Sequence, residues 1–558
     1  MLKRPLPLST ALLLAVALPV LSACGGSDGG PASADAKAGS AASASAASAP
    51  EQGGRVTFAT DKEIDCFDPH VSQADITGVL LRNVYDSLIV ERKDGTFAPW
   101  LATKWSVSDD GRSYTFTLRD DVTFTDGDAF DAKAVKENLD RIADPKTKSK
   151  YAIGLLGPYA GTDVVAPDTV RVRFKRRFAS FLHSVSTTYL GFHSPSSIAK
   201  GGASLCAADA QVGTGAFRLA GYTRGQGLTL ERNADYAWAP ETAGHQGAAH
   251  LDRIDVKFVA EPSVRIGGVT SGQTDLADFV PPDQVEALGK TPGVKLVGTA
   301  TPGLGYTYFL NTEDALFGQK ELRLAVQKAF DLEAAVKAVY FGRYDRAWSV
   351  LTPPTLGYHA SLKGTWGYDV KAAEALLDGA GWSARDGAGY RTKGGKRLST
   401  RLLYVPQYTS EDRASLDQAL QADLKKVGIE LKLVPMDAAA YEPVRNAGKY
   451  GLIGFAWGGA DPDLLRTLFD SSQLFDDGGN NASRLHDEEV DEWLREAAAS
   501  TDVAVRKAAY EKVQRRLIED GVALPTGVPQ RQIAVREGVQ GLTFDANGWP
   551  LFYDLSTS

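Results

Sequence analysis

The stretch from Trp100 to Ile142 switches hydrophobic period within a short span, and it restricts the fold more than any other segment. Asp109-Asp110-Gly111 is a turn, because Asp and Gly tolerate the backbone geometry of a tight reversal. Tyr114, Phe116 and Leu118 then alternate with Thr115, Thr117 and Arg119, the period-2 pattern of a half-buried strand. Asp126-Gly127 turns the chain again. Asp131 is placed to cap a helix on which Val135, Leu139 and Ile142 share one face. A hairpin feeding an amphipathic helix is a building block of an α/β domain.

The same alternation continues along the chain. Arg55–Ala59 reads as a strand, and Ile76–Ile89 has helical spacing through Val79, Leu80, Val84 and Leu88. Val164-Val165 and Val170–Phe174 flank the turn Pro167-Asp168. Val212–Leu219 enters a strand that Leu228–Glu231 can pair with, and Ile254–Val259 is another. Tyr306–Asn311 is an aromatic strand. Glu321–Tyr340 reads as one long amphipathic helix, and Glu411–Val427 as a helix stopped by Gly428. Arg401–Val405, Ile429–Val434 and Leu452–Trp457 are strands, and Val490–Ala499 and Val503–Asp520 are helices.

With 558 residues, 43% of them hydrophobic, the chain can build two or three domains. Its net charge of -8, with no basic block, argues against nucleic acid as a partner. Lys3 and Arg4 precede an apolar run over Leu6–Val20 that is too short to span a bilayer comfortably. Leu21-Ser22-Ala23-Cys24 follows and resembles the lipobox of bacterial lipoproteins, whose cysteine carries a diacylglycerol; two acyl chains suffice for anchoring. Residues 1–24 are therefore expected to be a signal peptide ending at a lipidated Cys24. Residues 25–52, rich in Ala, Ser and Gly, are expected to be a disordered tether. The folded body begins near Gly53. Cys66 and Cys206 remain, and in an oxidising compartment two cysteines point to one structural disulfide.

The wording of Trp100–Ile142 resembles the signature of the family-5 extracellular solute-binding proteins of ABC importers, the peptide/nickel-binding group. Val84-Tyr85-Asp86-Ser87-Leu88 looks like the family's first helix. Val212-Gly213-Thr214-Gly215 looks like its Gly-Thr-Gly-Pro strand start, with Ala216 where proline is usual. Tyr308–Thr312 and Arg323–Asp331 are similar to the start of its second lobe, and Asp461-Pro462-Asp463 and Val522–Pro525 fit its closing part. The resemblance runs in order over essentially the whole mature chain. It implies an α/β fold of two lobes like that of periplasmic binding proteins, with an extra subdomain inserted in lobe I. Lobe I would span 53–305 with the insertion at about 86–200, lobe II 306–521, and 522–558 would return to lobe I.

The resemblance implies a job as well: a monomer on the outer face of the cell membrane, in the periplasmic space if there is an outer membrane. It would capture a solute, foremost an oligopeptide or dipeptide, and deliver it to an ABC permease and its ATPase. Metal chelates, siderophores and oligosaccharides are alternative solutes, and a signalling lipoprotein of the same fold is an alternative role. No cofactor, resident metal or catalysis is expected: the sequence has no Gly-x-Ser-x-Gly elbow, His-Glu-x-x-His, Walker loop or Rossmann fingerprint. His245 and His250 share a loop but lack a third ligand, and the acidic group Asp461, Asp463, Asp470, Asp476 and Asp477 reads as a solvated loop with helix caps.

A solute cleft needs aromatic walls and a few polar anchors. Trp457 ends a strand before Gly458-Gly459 and, by resemblance, faces the cleft. Tyr306 opens lobe II beside the hinge. Phe67, His70, Gln73 and Asp75 follow the first strand, where relatives contact ligand, and Tyr189 and Tyr408 complete the aromatic candidates. Peptide-binding relatives carry an Asp three residues past the equivalent tryptophan, which pairs with the peptide's amino group. That position here is Ala460, so Asp461 is expected to serve through a one-residue shift.

Overall fold

The computed structural model of this chain describes residues 52–558, apart from 202–204. The expected signal peptide with Cys24, and all but the last residue of the tether, lie outside the described residues. Among the described residues no helix is long and apolar enough to cross a membrane.

Two large sheets organise the body, each with its own buried core. The first has seven strands, in the order Val294–Ala300, Gln530–Arg536, Leu276–Ala277, Arg55–Thr60, Arg253–Phe258, Gly227–Arg232, Phe217–Thr223. Arg55–Thr60 sits inside it, parallel to both neighbours. The sheet thus joins the start of the body to a segment near its end. The second sheet has five strands, in the order Glu430–Pro435, Ser399–Tyr404, Leu452–Gly458, Gly303–Leu310, Ala523–Pro525. Every residue of Gly303–Leu310 is buried, as expected of a strand covered on both faces.

The chain changes sheet twice. It crosses through Thr301-Pro302 and returns through Thr526–Pro529, and the two crossings are tied by Thr301 N–H donating to Pro529 O (2.9 Å) and Thr526 N–H donating to Tyr306 O (2.9 Å). Gly305 is required here, because a Cβ would lie 2.4 Å from Gly527 O. These crossings refine the expected boundaries. The first comes a few residues before 305, and Ala523–Pro525 still pairs with the second sheet, so the return follows residue 525 rather than 521.

A four-stranded antiparallel sheet, Ala102–Val107, Ser113–Leu118, Thr169–Phe174, Tyr159–Ala166, forms the centre of the inserted segment. Tyr114, Phe116 and Leu118 point inward, and the Asp131 side chain caps helix Ala132–Ala143 by accepting from Lys133 and Ala134 N–H. Cys66 and Cys206 form a disulfide that ties the loop after the first strand to the segment just past the insertion.

Two helices differ from expectation. Ile76–Ile89 is helical only over Asp75–Leu81, because the carbonyls of Asn83 and Val84 are taken by Phe217 and Gly215 N–H. Glu321–Tyr340 breaks into Lys320–Ala329 and Leu332–Val339. Asp331 supplies the break: its side chain caps the second helix while its N–H donates to Asp423.

Candidate functional site

A cavity of about 310 Å³ lies where the two sheets' ends meet. The first lobe supplies most of its wall. Asp61 and Lys62 follow strand Arg55–Thr60, and Asp75, Ile76 and Val79 come from helix Asp75–Leu81. Tyr151, His183 and Tyr189 come from the insertion, and Phe279, Arg531 and Trp549 from segments far apart in sequence. The second lobe contributes Tyr344 and the exposed backbone of Gly458-Gly459.

The aromatic wall is held rigidly. Tyr189 donates to Ala74 O (3.0 Å), its ring meets Tyr151 edge-on at 4.7 Å, and Trp549 packs 6.1 Å from it. Gly78 makes that packing possible, since a Cβ would come within 2.5 Å of the Trp549 ring. Phe279 is 40% exposed and adopts φ 53°, a backbone state that a bulky residue holds only under constraint. The constraint is visible: Arg265 donates to Phe279 O (3.1 Å) and Asp278 O (2.8 Å), and Asp278 pairs with Arg531, whose guanidinium lies 4.6 Å from the Phe279 ring centre.

The charges divide into matched and unmatched. His183 Nδ1 meets Glu91 at 2.6 Å; burial opposes its charge, but Glu91 prevails and pushes it up to about 9, so it is protonated near neutrality. Asp75 is open to the cavity yet surrounded by protein; that burial raises its carboxyl, against the pull of Lys62 and Arg531. The lobes touch around the cavity. Ala179 N–H donates to Ala498 O (2.9 Å), Arg506 to Ser180 Oγ (3.3 Å), and Ala460 N–H to Asn547 Oδ1 (3.0 Å).

Of the nine residues singled out in the sequence, Asp75 and Tyr189 line this cavity. Trp457 and Tyr408 line a separate hollow of about 330 Å³ within the second lobe, beside Arg413, Tyr441 and Arg445; Trp457 is half-buried and immediately precedes the cleft glycines. Gln73 is exposed in the loop before helix Asp75–Leu81 and is not part of the cleft lining. Phe67 is buried edge-on against Tyr222. Tyr306 is core, with its hydroxyl 3.4 Å from Asp417 Oδ1, which also accepts from Tyr308 (2.7 Å).

His70 is fully buried: Arg141 donates to its Nδ1 (2.8 Å) and its Nε2 donates to Gly191 O (2.7 Å), while burial, with His193 and Arg141, pushes its pKa down to about 3. It thus belongs to a core network with Asp68 and His193 rather than to the cleft. These three bring donor atoms within 4.8 Å of one another, but Arg141 already occupies Asp68. Asp461 is buried as well, and both its oxygens accept from Arg506 Nη2, at 2.7 and 3.0 Å.

Three members of the acidic group are not solvated as expected, whereas Asp476 is exposed. Asp463 pairs with Arg466 and accepts from Tyr510, and Asp470 accepts from Ser472; all three carboxylates from 461 to 470 are buried. His245 and His250 stack at 3.9 Å, and His245 also stacks on Tyr553 and pairs with Asp554.

Sequence reasoning missed Asp61, Lys62, Tyr151, His183, Phe279, Arg531 and Trp549. Asp61 and Lys62 adjoin the first strand and were within reach of the argument that found Asp75. The others carry no local signal, because distant segments bring them together.

The comparisons agree with this geometry. The profile of bacterial extracellular solute-binding proteins, family 5, middle region, matches residues 96–475. The glutathione-binding protein GsiB of Escherichia coli (strain K12) is 26% identical over 495 residues, 87% of this chain and 91% of its own. The nickel-binding periplasmic protein of the same strain is 26% identical over 449 residues, 79% and 83% of the two chains. Among solved structures, NikA from Brucella suis in complex with Fe(III)-EDTA superposes with a TM-score of 0.79 at 27% identity, covering 90% of this chain and all of that one (100%). DppA from Helicobacter pylori, in complex with the peptide STSA, shares the fold with a TM-score of 0.73 at 24% identity, over 91% and 98% of the chains. The family is one of solute-binding proteins rather than enzymes. This chain belongs to the bacterial extracellular solute-binding proteins of family 5, the substrate-binding proteins of ABC importers.

Proposed function

We propose that this chain captures a small peptide or peptide-like solute in the interlobe cavity and hands it to an ABC permease and its ATPase. It would do so as a monomer held by a lipidated Cys24 on the outer face of the cell membrane. The observation that carries the reading is the cavity itself: aromatic side chains and unmatched charges of one lobe face an exposed glycine backbone of the other. That arrangement suits enclosure of a solute by two lobes. A non-peptide solute, such as a metal chelate or an oligosaccharide, is the second reading. It is favoured by the commitment of Asp461 to Arg506, which removes the carboxylate expected to hold a peptide amine.

Native mass spectrometry of the full chain, extracted in mild detergent without added ligand, tests the proposal. A co-purified set of short peptides supports it. A chelate or sugar of single mass establishes the second reading instead. The intact mass of the same sample reports whether a thioether-linked glyceryl group carrying two ester-linked acyl chains is present.

A further inference from the structure

Besides three tyrosines, five ionisable groups border the interlobe cavity: Asp61, Lys62, Asp75, His183 and Arg531. Two have partners outside it, His183 with Glu91 and Arg531 with Asp278. The Asp461–Arg506 pair beside the lobe contact is also matched. What remains is one cation, Lys62, against two carboxylates.

Neither carboxylate is satisfied by the fold. Asp61 Oδ1 is buried without a hydrogen-bond partner. Asp75 is exposed to the cavity, accepts no side-chain hydrogen bond and makes no ion pair among the described residues. The protein packed around it raises its carboxyl, against the pull of Lys62 and Arg531. A buried acceptor without a donor, as at Asp61 Oδ1, is uncommon unless something else supplies the donor. The rings of Tyr151 and Tyr189 stand close enough for the Asp75 charge to push both hydroxyls upward in pKa, after the larger effect of their burial. A carboxylate beside aromatic rings is a site for a cationic nitrogen, which gains a charge-assisted hydrogen bond and ring contacts together.

Accepting the interlobe cavity as the solute site, we infer that Asp75, with Asp61 as a second acceptor, holds a protonated amine of the ligand, and that the cleft selects solutes bearing a primary ammonium. The anchor then belongs to the first lobe. Asp461, the position that the family pattern suggests, holds Arg506 instead.

The test uses the full chain and two probes, a random tripeptide library with free amino termini and the same library N-acetylated. Retention is measured by equilibrium dialysis and mass spectrometry. Wild type should hold the free-amine pool at least about tenfold more tightly, the scale of one charge-assisted hydrogen bond. Asp75→Asn should lose that preference while keeping the wild-type melting temperature, and Asp75→Glu should restore part of it. An Asp75→Asn protein that still prefers the free-amine pool overturns the assignment of Asp75 and leaves the peptide reading intact. Equal retention of both pools by wild type overturns the selection for an amine. Retention of neither pool by wild type overturns the inference together with the peptide reading.

Discussion

Replacing Asp461 with Asn separates a structural carboxylate from a ligand-binding one. Both members of the Asp461–Arg506 pair are only 8% exposed, and the guanidinium reaches both carboxylate oxygens. Arg506 has few alternatives. Its Nε is buried without a partner, Ser180 Oγ lies 3.3 Å from Nη2, and the Tyr510 ring centre is 5.7 Å away. Removing one partner of such a pair strands the other charge and costs about 3–5 kcal/mol. The loss should appear as a lower urea midpoint for the second lobe, followed by near-ultraviolet circular dichroism, with or without ligand. A double variant, Asp461→Leu with Arg506→Met, should recover most of it, since an apolar pair of similar size removes the stranded charge. The pH dependence adds a signature. Burial alone would raise the Asp461 pKa, but Arg506 and His183 outweigh it, and the folded value lies below the ordinary 3.8. A depressed acid contributes stability above its unfolded pKa and loses it as pH falls through the folded value. The wild type should therefore lose this contribution only below about pH 4, and Asp461→Asn should lack that acid limb. A variant with an unchanged urea midpoint and a large loss of solute affinity would refute the reasoning and return Asp461 to the ligand.

Three further outcomes follow from the site and its frame. His183, raised to about 9 by Glu91 against burial, contributes stability that is fully present below pH 6.5 and lost as pH rises towards 9, so wild-type melting temperatures should fall across that window relative to His183→Gln; parallel curves exclude the pair as the cause. Phe279→Gly relieves a positive φ but gives up the ring's packing on Arg531, so it should weaken solute binding while changing urea stability by less than about 1 kcal/mol, and a loss of about 3 kcal/mol or more contradicts the strain argument. Replacing Cys66 and Cys206 with Ser frees a loop of 140 residues in the unfolded chain, which the chain-entropy account values at about 5 kcal/mol, and a loss under about 1 kcal/mol shows that the bridge constrains little.

What was legible in the sequence was local. The turn at Asp109–Gly111, the alternating Tyr114, Phe116 and Leu118, and the Asp131 cap all follow from neighbours within a few residues, and the structure has each of them. Where an element depends on a distant partner, periodicity failed. Asp331 looks like part of a continuous helix until its contact with Asp423 is known, and Val84 looks helical until its carbonyl meets Gly215. The cleft shows the same division. Asp75 occupies a position that loop reasoning reached and Tyr189 one that the search for aromatic walls reached, whereas Phe279 owes its role to a backbone angle that no residue pattern announces. His70 and Asp461 were drawn in by resemblance to the family, and each proves to serve an arginine from a distant helix.

The two charge assignments are linked. Once Arg506 takes Asp461, the second lobe offers the cavity a tyrosine and exposed glycine backbone, and the unmatched carboxylates Asp61 and Asp75 both stand on the first lobe. On the inference above, a cationic solute would gain its strongest polar contact before the lobes meet. Closure would then add the Gly458-Gly459 backbone and the contacts of Ala179 with Ala498 and Ala460 with Asn547, none of which needs a charge on the ligand. Affinity for the amine and the extent of closure should therefore be separable: substitutions at Asp75 act on the first, and substitutions around Ser180 and Asn547 on the second.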